Sequence, residues 1–174
     1  MRIIAGSLKG RRLAAPPEGA TAIRPTSDRA REALFSILEA RAKGGFLDLY
    51  AGTGAVALEA LSRGWSPVVC VERHPAPCLL KNLAGTGVAL LRRPAERLEA
   101  ASFQGLAVVF ADPPYDLASR AWERLAPLAR GWLGDGGLLV FETSSRDSLP
   151  ERPGWSLQDR RIYGEACFHF FVPA

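Results

Sequence analysis

The segment Asp112-Pro113-Pro114-Tyr115 carries the most specific chemistry in the chain. Two consecutive prolines fix φ and remove two backbone donors, so the loop presents carbonyl acceptors beside an acceptor carboxylate. Such a loop suits an amine: Asp112 and the Pro113 carbonyl can each accept one N–H. Tyr115 offers a flat face on which an unstacked base can lie. The plain alternative is a proline turn after a strand. Two further motifs in register weigh against it.

The first is Asp48-Leu-Tyr-Ala-Gly52-Thr-Gly54-Ala-Val-Ala57. Gly52 and Gly54 let the backbone approach a ligand, and Ala57 in place of a third glycine still permits close packing of a helix on a sheet. Alone, a glycine-rich turn also serves simple packing. The second is Glu72, twenty residues after Gly52, where a carboxylate can accept both hydroxyls of a ribose. A solvated strand-end acid is its bland reading. These two motifs alone also fit an NAD-dependent oxidoreductase. Against that reading, Asp48 stands four residues before the turn, and its negative charge would oppose a pyrophosphate.

Other chemistries have little support. His74 and His169 each lack a second ligand at i+3 or i+4, and Cys70, Cys78 and Cys167 have no metal-ligand spacing, so no metal is expected. An odd count of cysteines reads as buried, reduced thiols.

The charge distribution points to a polyanionic partner. Residues 1–45 hold nine Lys/Arg against four acids, whereas residues 46–174 hold thirteen against fourteen. The surplus of the chain (net +4) therefore lies in its first quarter, as a solvated basic arm or as a footprint for a phosphate backbone. Nineteen of the 22 basic residues are arginine, which favours bidentate phosphate contacts or reflects compositional bias. With 174 residues, 48% apolar and 23% charged, the composition is that of one globular unit with a small extension. No apolar run approaches a membrane span, and MRIIAGSLKGRR is no signal peptide. A cytoplasmic protein is expected.

The elements that must position these motifs alternate. A small hairpin is expected from Arg2–Ala5 and Gly10–Ala14, then a loop over 15–25. Thr26 or Ser27 caps a helix with a buried stripe at Ala30, Ala33, Leu34, Ile37 and Leu38, ended by Gly44 and Gly45. Strands are predicted at Phe46–Tyr50, Val68–Glu72, Val88–Leu91, Leu106–Ala111 and Gly137–Glu142. Helices are predicted at about 55–63, 75–84, 94–99 and 118–130. This pattern argues for a mostly parallel sheet covered on both faces. Trp155–Tyr163 and Ala166–Val172 flank Gly164-Glu165 and read as an antiparallel terminal hairpin.

Taken together, these motifs resemble the class I S-adenosylmethionine-dependent methyltransferases that act on exocyclic amines of nucleobases. Within them the chain looks like the small-subunit ribosomal RNA guanine-N2 methyltransferases of the RsmD type. The likeness runs nearly end to end, through Arg2-Ile-Ile-Ala-Gly6, Gly10-Arg11-Arg12-Leu13, Arg24-Pro25-Thr26-Ser-Asp28-Arg29-Ala-Arg31-Glu32, Asp48 to Gly54, Val71-Glu72, Asn82 and Asp112 to Tyr115. It implies an α/β Rossmann-like fold with a seven-stranded, mostly parallel sheet. It also implies a basic N-terminal extension over 1–45 and a methyltransferase core over 46–174.

The resemblance assigns methyl transfer to Asp112, Pro113, Pro114 and Tyr115. S-adenosylmethionine falls to Asp48, Tyr50, Ala51, Gly52, Thr53, Gly54, Glu72, Arg73, Ala95 and Glu96, with Asp48 on the methionine ammonium. RNA falls to Lys9, Arg11, Arg12, Arg24, Thr26, Arg29 and Arg31, with Arg24 bordering the loop of Asp112. The partner implied is small-subunit ribosomal RNA or the assembling subunit, met by a monomer with no metal and no membrane. One departure stands out: these enzymes usually carry Asp-Ala after the third strand, whereas Pro94 holds the acid's place here. Glu96 or the Ala95 amide is then left for the adenine amine. The competing readings are an adenine-N6 DNA methyltransferase, disfavoured by the lack of a target-recognition domain, and a non-catalytic RNA-binding module, disfavoured by the intact Asp112 loop.

Overall fold

The computed structural model describes residues 1–16 and 26–174. Eleven regular elements follow one another: α1 (Asp28–Leu38), β1 (Gly45–Leu49), α2 (Ala55–Ser62), β2 (Val68–Val71), α3 (Pro77–Leu83), β3 (Ala89–Leu91), β4 (Leu106–Ala111), α4 (Ala118–Trp132), β5 (Leu133–Ser144), β6 (Trp155–Tyr163) and β7 (Ala166–Pro173). Single 3-10 turns lie at Ala95–Arg97, Ala100–Ser102 and Tyr115–Leu117. The strands form one sheet in the order β3-β2-β1-β4-β5-β7-β6. All pairs are parallel except β5·β7 and β7·β6, as the alternating pattern and the Gly164-Glu165 hairpin lead one to expect.

Side-chain alternation sorts the sheet residues onto two apolar layers. Phe46, Cys70, Val108, Phe110 and Val140 face α1, α2 and α3, while Leu47, Val71, Val109, Leu139 and Phe141 face α4. Trp122 and Trp132 of α4 are fully buried on that second face. None of the helices among the described residues is long and apolar enough to cross a membrane.

The N-terminal residues differ from the expectation. Instead of two strands there is a single antiparallel bridge, Arg2 to Arg12. The outer donors of this segment are taken by α2: Ile4 and Ala5 N–H donate to the Glu59 carboxylate at 2.8 and 3.0 Å, and Ser7 N–H donates to the Ser62 carbonyl at 2.7 Å. Ile3 and Leu13 are buried in the same apolar layer as α1 and α2. The segment is therefore built into the core and is not a solvated hairpin. Gly6 is required at this contact, because its φ is +83° and a Cβ would sit 1.8 Å from the Ser62 carbonyl oxygen.

Ser27 caps α1, accepting from Ala30 N–H at 3.1 Å. The helix stops at Leu38, before Gly44, where the apolar stripe runs out. Its buried face holds Arg31 and Phe35 as well as Ala30, Leu34 and Leu38, with Ala33 and Ile37 only half-buried. The helix expected over 94–99 is one 3-10 turn, Ala95–Arg97. Strand β5 begins four residues before Gly137; Gly134, Gly136 and Gly137 sit in a bulge, where the β4 register jumps from Leu106–Leu133 to Val108–Leu138.

Candidate active site

In this sheet the strand order reverses beside β1, and the crevice at the carboxyl ends of β1, β2 and β4 is where open α/β sheets take ligands. The three acids singled out above are brought there. Asp48 sits one residue before the end of β1, paired in register with Cys70 of β2 and Phe110 of β4. Glu72 follows β2, and Asp112 follows β4, its N–H directed at the Leu49 carbonyl.

Asp48 is 1% exposed, and its carboxylate accepts from Ala57 N–H of α2 at 3.0 Å. Burial pushes its pKa well above the usual range; the Ala57 bond opposes this, and the charges of Asp112 and Glu72 add to it. The three carboxylates therefore share one negative field. Among the described residues no His, Cys, Asp or Glu gather as a metal-ligand set.

Glu72 is held by two backbone donors, Gly52 N–H at 3.2 Å and His74 N–H at 3.1 Å, one on each oxygen. Each oxygen keeps a lone pair for a further donor. The glycine turn crosses over these acids: Tyr50 (φ +61°), Gly52 (φ +54°) and Gly54 (φ +76°) all adopt left-handed backbone. A non-glycine residue there is strained, and such strain concentrates at functional sites. The Tyr50 hydroxyl donates to Glu96 Oε1 at 2.6 Å, and burial followed by this bond pushes the phenol pKa up. Tyr50 and Glu96 thus form one pair, with buried Ala95 beside them. Gly54 serves packing as well as approach, because a Cβ there would lie 2.8 Å from Leu79 Cδ1 of α3. Thr53 is buried, and its carbonyl accepts from Asn82 Nδ2 at 3.0 Å.

In the Asp112 loop, Pro113 is buried, and Asp112 and Tyr115 are half-buried. The Pro114 carbonyl accepts from Leu117 N–H at 2.8 Å, so it is spent on the 3-10 turn. No backbone donor among the described residues uses the Pro113 carbonyl. The loop offers one carbonyl beside Asp112 rather than several.

The residues assigned to RNA divide. Lys9, Arg12 and Arg29 are exposed, and Lys9 and Arg29 line a notch of about 310 Å³ with Arg2, Asp28 and Glu32. Arg11 is half-buried and donates to the Asn82 carbonyl at 3.0 Å. The Thr26 carbonyl is within reach of the Arg31 guanidinium, and Arg24 lies outside the described residues. Arg31 requires a correction: its side chain is wholly buried, paired with Asp28 at 3.0 Å and with Glu59 at 3.6 Å, and donating to the Arg2 carbonyl. No phosphate can reach it. It serves as counter-charge to the buried Glu59, which Arg63 also contacts at 2.8 Å.

Sequence reasoning gives Glu59 and Asn82 no role of their own. Asn82 joins the N-terminal segment to the glycine turn, bonding Ala14 N–H and carbonyl at 2.7 and 3.0 Å as well as Thr53. A buried amide and a buried acid, each on a helix face packed against the basic segment, would have been the signal. A second omission is a cleft of about 680 Å³ beside the Ala95–Arg97 turn, lined by six arginines.

A family model described as conserved hypothetical protein 95 matches residues 1–172. Ribosomal RNA small subunit methyltransferase D of Escherichia coli is 33% identical over 186 residues, spanning 98% of this chain and 89% of its own. The solved structure of hypothetical protein TTHA0928 from Thermus thermophilus is 35% identical, covers 98% of both chains and superposes with a TM-score of 0.80. A TehB-like SAM-dependent methyltransferase from Corynebacterium glutamicum shares the fold at 16% identity, over 83% of this chain and 88% of its own, with a TM-score of 0.64.

Proposed function

From the premise that the chain belongs to the conserved hypothetical protein 95 family, with ribosomal RNA small subunit methyltransferase D of Escherichia coli among its relatives, we propose that it is an S-adenosylmethionine-dependent methyltransferase. Its acceptor is the exocyclic N2 amine of a guanine in small-subunit ribosomal RNA. It works in the cytoplasm as a monomer.

The observation that carries this reading is the convergence of Asp48, Glu72 and Asp112 around the glycine turn. A ligand bearing a sulfonium and an ammonium suits that field, and a pyrophosphate does not. The α2 N-terminus, where a dinucleotide phosphate would dock, already spends Ala57 N–H on Asp48. These residues fit the cofactor. Asp48 would take its ammonium, Glu72 its ribose hydroxyls, Gly52 and Gly54 its passage over the turn, and Arg73 and Ala95 with Glu96 its adenine. Bound there, S-adenosylmethionine supplies an electrophilic methyl group.

The chain's own contribution is orientation and charge. Guanine N2 is a poor nucleophile because its lone pair is delocalised into the ring. Asp112 and the Pro113 carbonyl would accept its N–H groups and fix the orientation of that nitrogen toward the cofactor site. The same acceptors stabilise positive charge growing on that nitrogen. Tyr115 supports the face of the extruded base. Guanine presents N1–H and N2–H on one edge, which suits acceptors only. Lys9, Arg12 and Arg29 contact phosphates of the RNA around it.

Radiolabelled methyl transfer to ribosomal RNA and to DNA, followed by nucleoside analysis, tests the reading. N2-methylguanosine is expected from RNA; N6-methyladenine in DNA would transfer the assignment to the DNA enzyme. Asp112→Ala should lower turnover by at least about 100-fold while cofactor affinity measured by calorimetry stays within about twofold. Wild-type turnover in that variant would remove Asp112 from the mechanism.

A further inference from the structure

The cleft beside the Ala95–Arg97 turn gathers six guanidinium groups from four separate places in the chain: Arg73 after β2, Arg92 and Arg93 after β3, Arg97 in the turn itself, and Arg120 and Arg124 on α4. All six are exposed. Only Arg124 has a partner among the described residues, donating from Nε to the Glu96 carbonyl at 2.9 Å. None is paired with a carboxylate among the described residues, in contrast to Arg31, Arg63 and Arg161. The one carboxylate lining the cleft, Glu96, is engaged by the Tyr50 hydroxyl. Arg120 and Arg124 stand one helical turn apart, a spacing at which like charges weaken a helix. Apart from the Arg124 bond to the Glu96 carbonyl, these guanidiniums make no hydrogen bond to the fold among the described residues.

Resting on the function proposed above, which gives Arg73 and Glu96 to the adenine, we infer that the rest of this cleft is a docking groove for the phosphodiester backbone of the RNA strand flanking the target guanine. One observation and one argument from charge converge on it. Leu117, which ends the 3-10 turn starting at Tyr115, lines the cleft, so the groove is continuous with the loop that holds the base. S-adenosylmethionine carries a sulfonium and an ammonium against a single carboxylate, and its adenine is neutral, so it offers these guanidiniums at most one counter-charge. A polyanion offers several, and arginine's planar fork matches phosphate oxygens in pairs. The site is thereby polarised, with carboxylates where the cofactor's charge lies and arginines where the strand leaves the pocket.

The test uses the full chain with Arg93→Gln, Arg97→Gln and Arg120→Gln combined, sparing Arg73, Glu96 and Arg124. Binding of a fluorescent single-stranded RNA oligonucleotide is measured against salt, and methyl transfer on deproteinised small-subunit ribosomal RNA. The log–log salt slope should fall by about 2, at about 0.7 per phosphate contact, and affinity near physiological salt by at least about tenfold. KM for RNA should rise accordingly, with kcat at saturating RNA and cofactor affinity within about twofold. The corresponding triple Arg→Lys variant should keep most of the slope, because the charges remain. A triple Gln variant with the wild-type slope refutes the groove. Lost cofactor affinity with the slope intact assigns the cleft to the cofactor and equally overturns it. Failure of the wild-type protein to methylate ribosomal RNA, both deproteinised and in small subunits, refutes instead the functional reading on which the groove rests.

Discussion

Two arginine-rich regions of this molecule have opposite physical characters. In the N-terminal segment and α1, Arg31 is sealed between Asp28 and Glu59, and Arg11 is tied to the Asn82 carbonyl. Across the sheet edge, the six arginines of the cleft stand in solvent, none of them paired with a carboxylate among the described residues. The first region carries the chain's charge surplus in sequence, yet part of that charge is consumed internally. The second lies in a stretch that sums to slightly negative and still holds a concentrated positive patch. Charge counted along a chain measures supply. Whether a given cation is a counter-ion of the fold or a footprint for a partner depends on what the fold places next to it.

The largest expected effect separates the two regions through stability. Glu59 is fully buried and accepts two backbone N–H groups from the N-terminal segment. Removing Arg31 leaves that carboxylate with Arg63 as its remaining cation and strips the Arg2 carbonyl of its donor, so Arg31→Met should cost about 1–3 kcal/mol in denaturant unfolding. Arg120→Gln, with no internal partner, should stay within about 0.5 kcal/mol. An Arg31 variant as stable as the wild type would break the comparison.

Legibility in the sequence follows the same division. The alternation of apolar runs and amphipathic segments is enough to place the five parallel strands and the terminal hairpin, because each signal is local. The Asp48, Glu72 and Asp112 positions are readable because strand ends of a parallel sheet meet at one edge. Arg31 is misread because it looks like one more basic residue on a helix, and its partner Glu59 is 28 residues away. The arginine cleft is invisible because its members come from segments that are adjacent only in the fold. The N-terminal hairpin is shorter than expected for a related reason: Ile3, Gly10 and Leu13 N–H bond across the turn, but Ile4, Ala5 and Leu8 N–H go to Glu59 and Ser62 of α2.

A contrast of two buried acids sharpens the comparison from the other side. Glu59 has two arginines; Asp48 has one backbone donor, and Asp112 and Glu72 as like-charged neighbours. On the proposed function, its missing cation is the ammonium of the ligand. Since the folded pKa is raised, the protonated form is the one the fold favours. The contribution to stability is full below the ordinary value of 3.8 and is lost as pH rises through the raised value. Asp48→Asn mimics the protonated acid and keeps an oxygen for Ala57 N–H. Its stability relative to wild type should therefore climb across that window and level off above it, in unfolding measured pH by pH. Cofactor affinity should drop by about tenfold or more at neutral pH, and in the wild type it should rise with pH through the same window. A flat stability difference would mean that Asp48 carries no burial penalty.

The smallest expected effect lies within the basic segment itself, between neighbours of the same type. Arg11 donates to the Asn82 carbonyl, and Asn82 in turn fixes Ala14 and Thr53. Arg11→Ala leaves that acceptor to a half-buried surface and should cost about 1 kcal/mol, the usual net value of one hydrogen bond. Arg12 is exposed and has no such bond among the described residues, so Arg12→Ala should fall within about 0.5 kcal/mol. RNA binding should invert the ranking. Combined Lys9→Gln and Arg12→Gln substitutions remove two solvent-facing charges, and the salt slope should fall by about 1.4 with stability unchanged. Arg11→Ala should move the slope less than its neighbours do, since its guanidinium is already occupied. Equal stability costs at 11 and 12 would show that the Asn82 contact contributes nothing, and an unchanged slope in the double variant would leave the arginine cleft as the phosphate-binding surface.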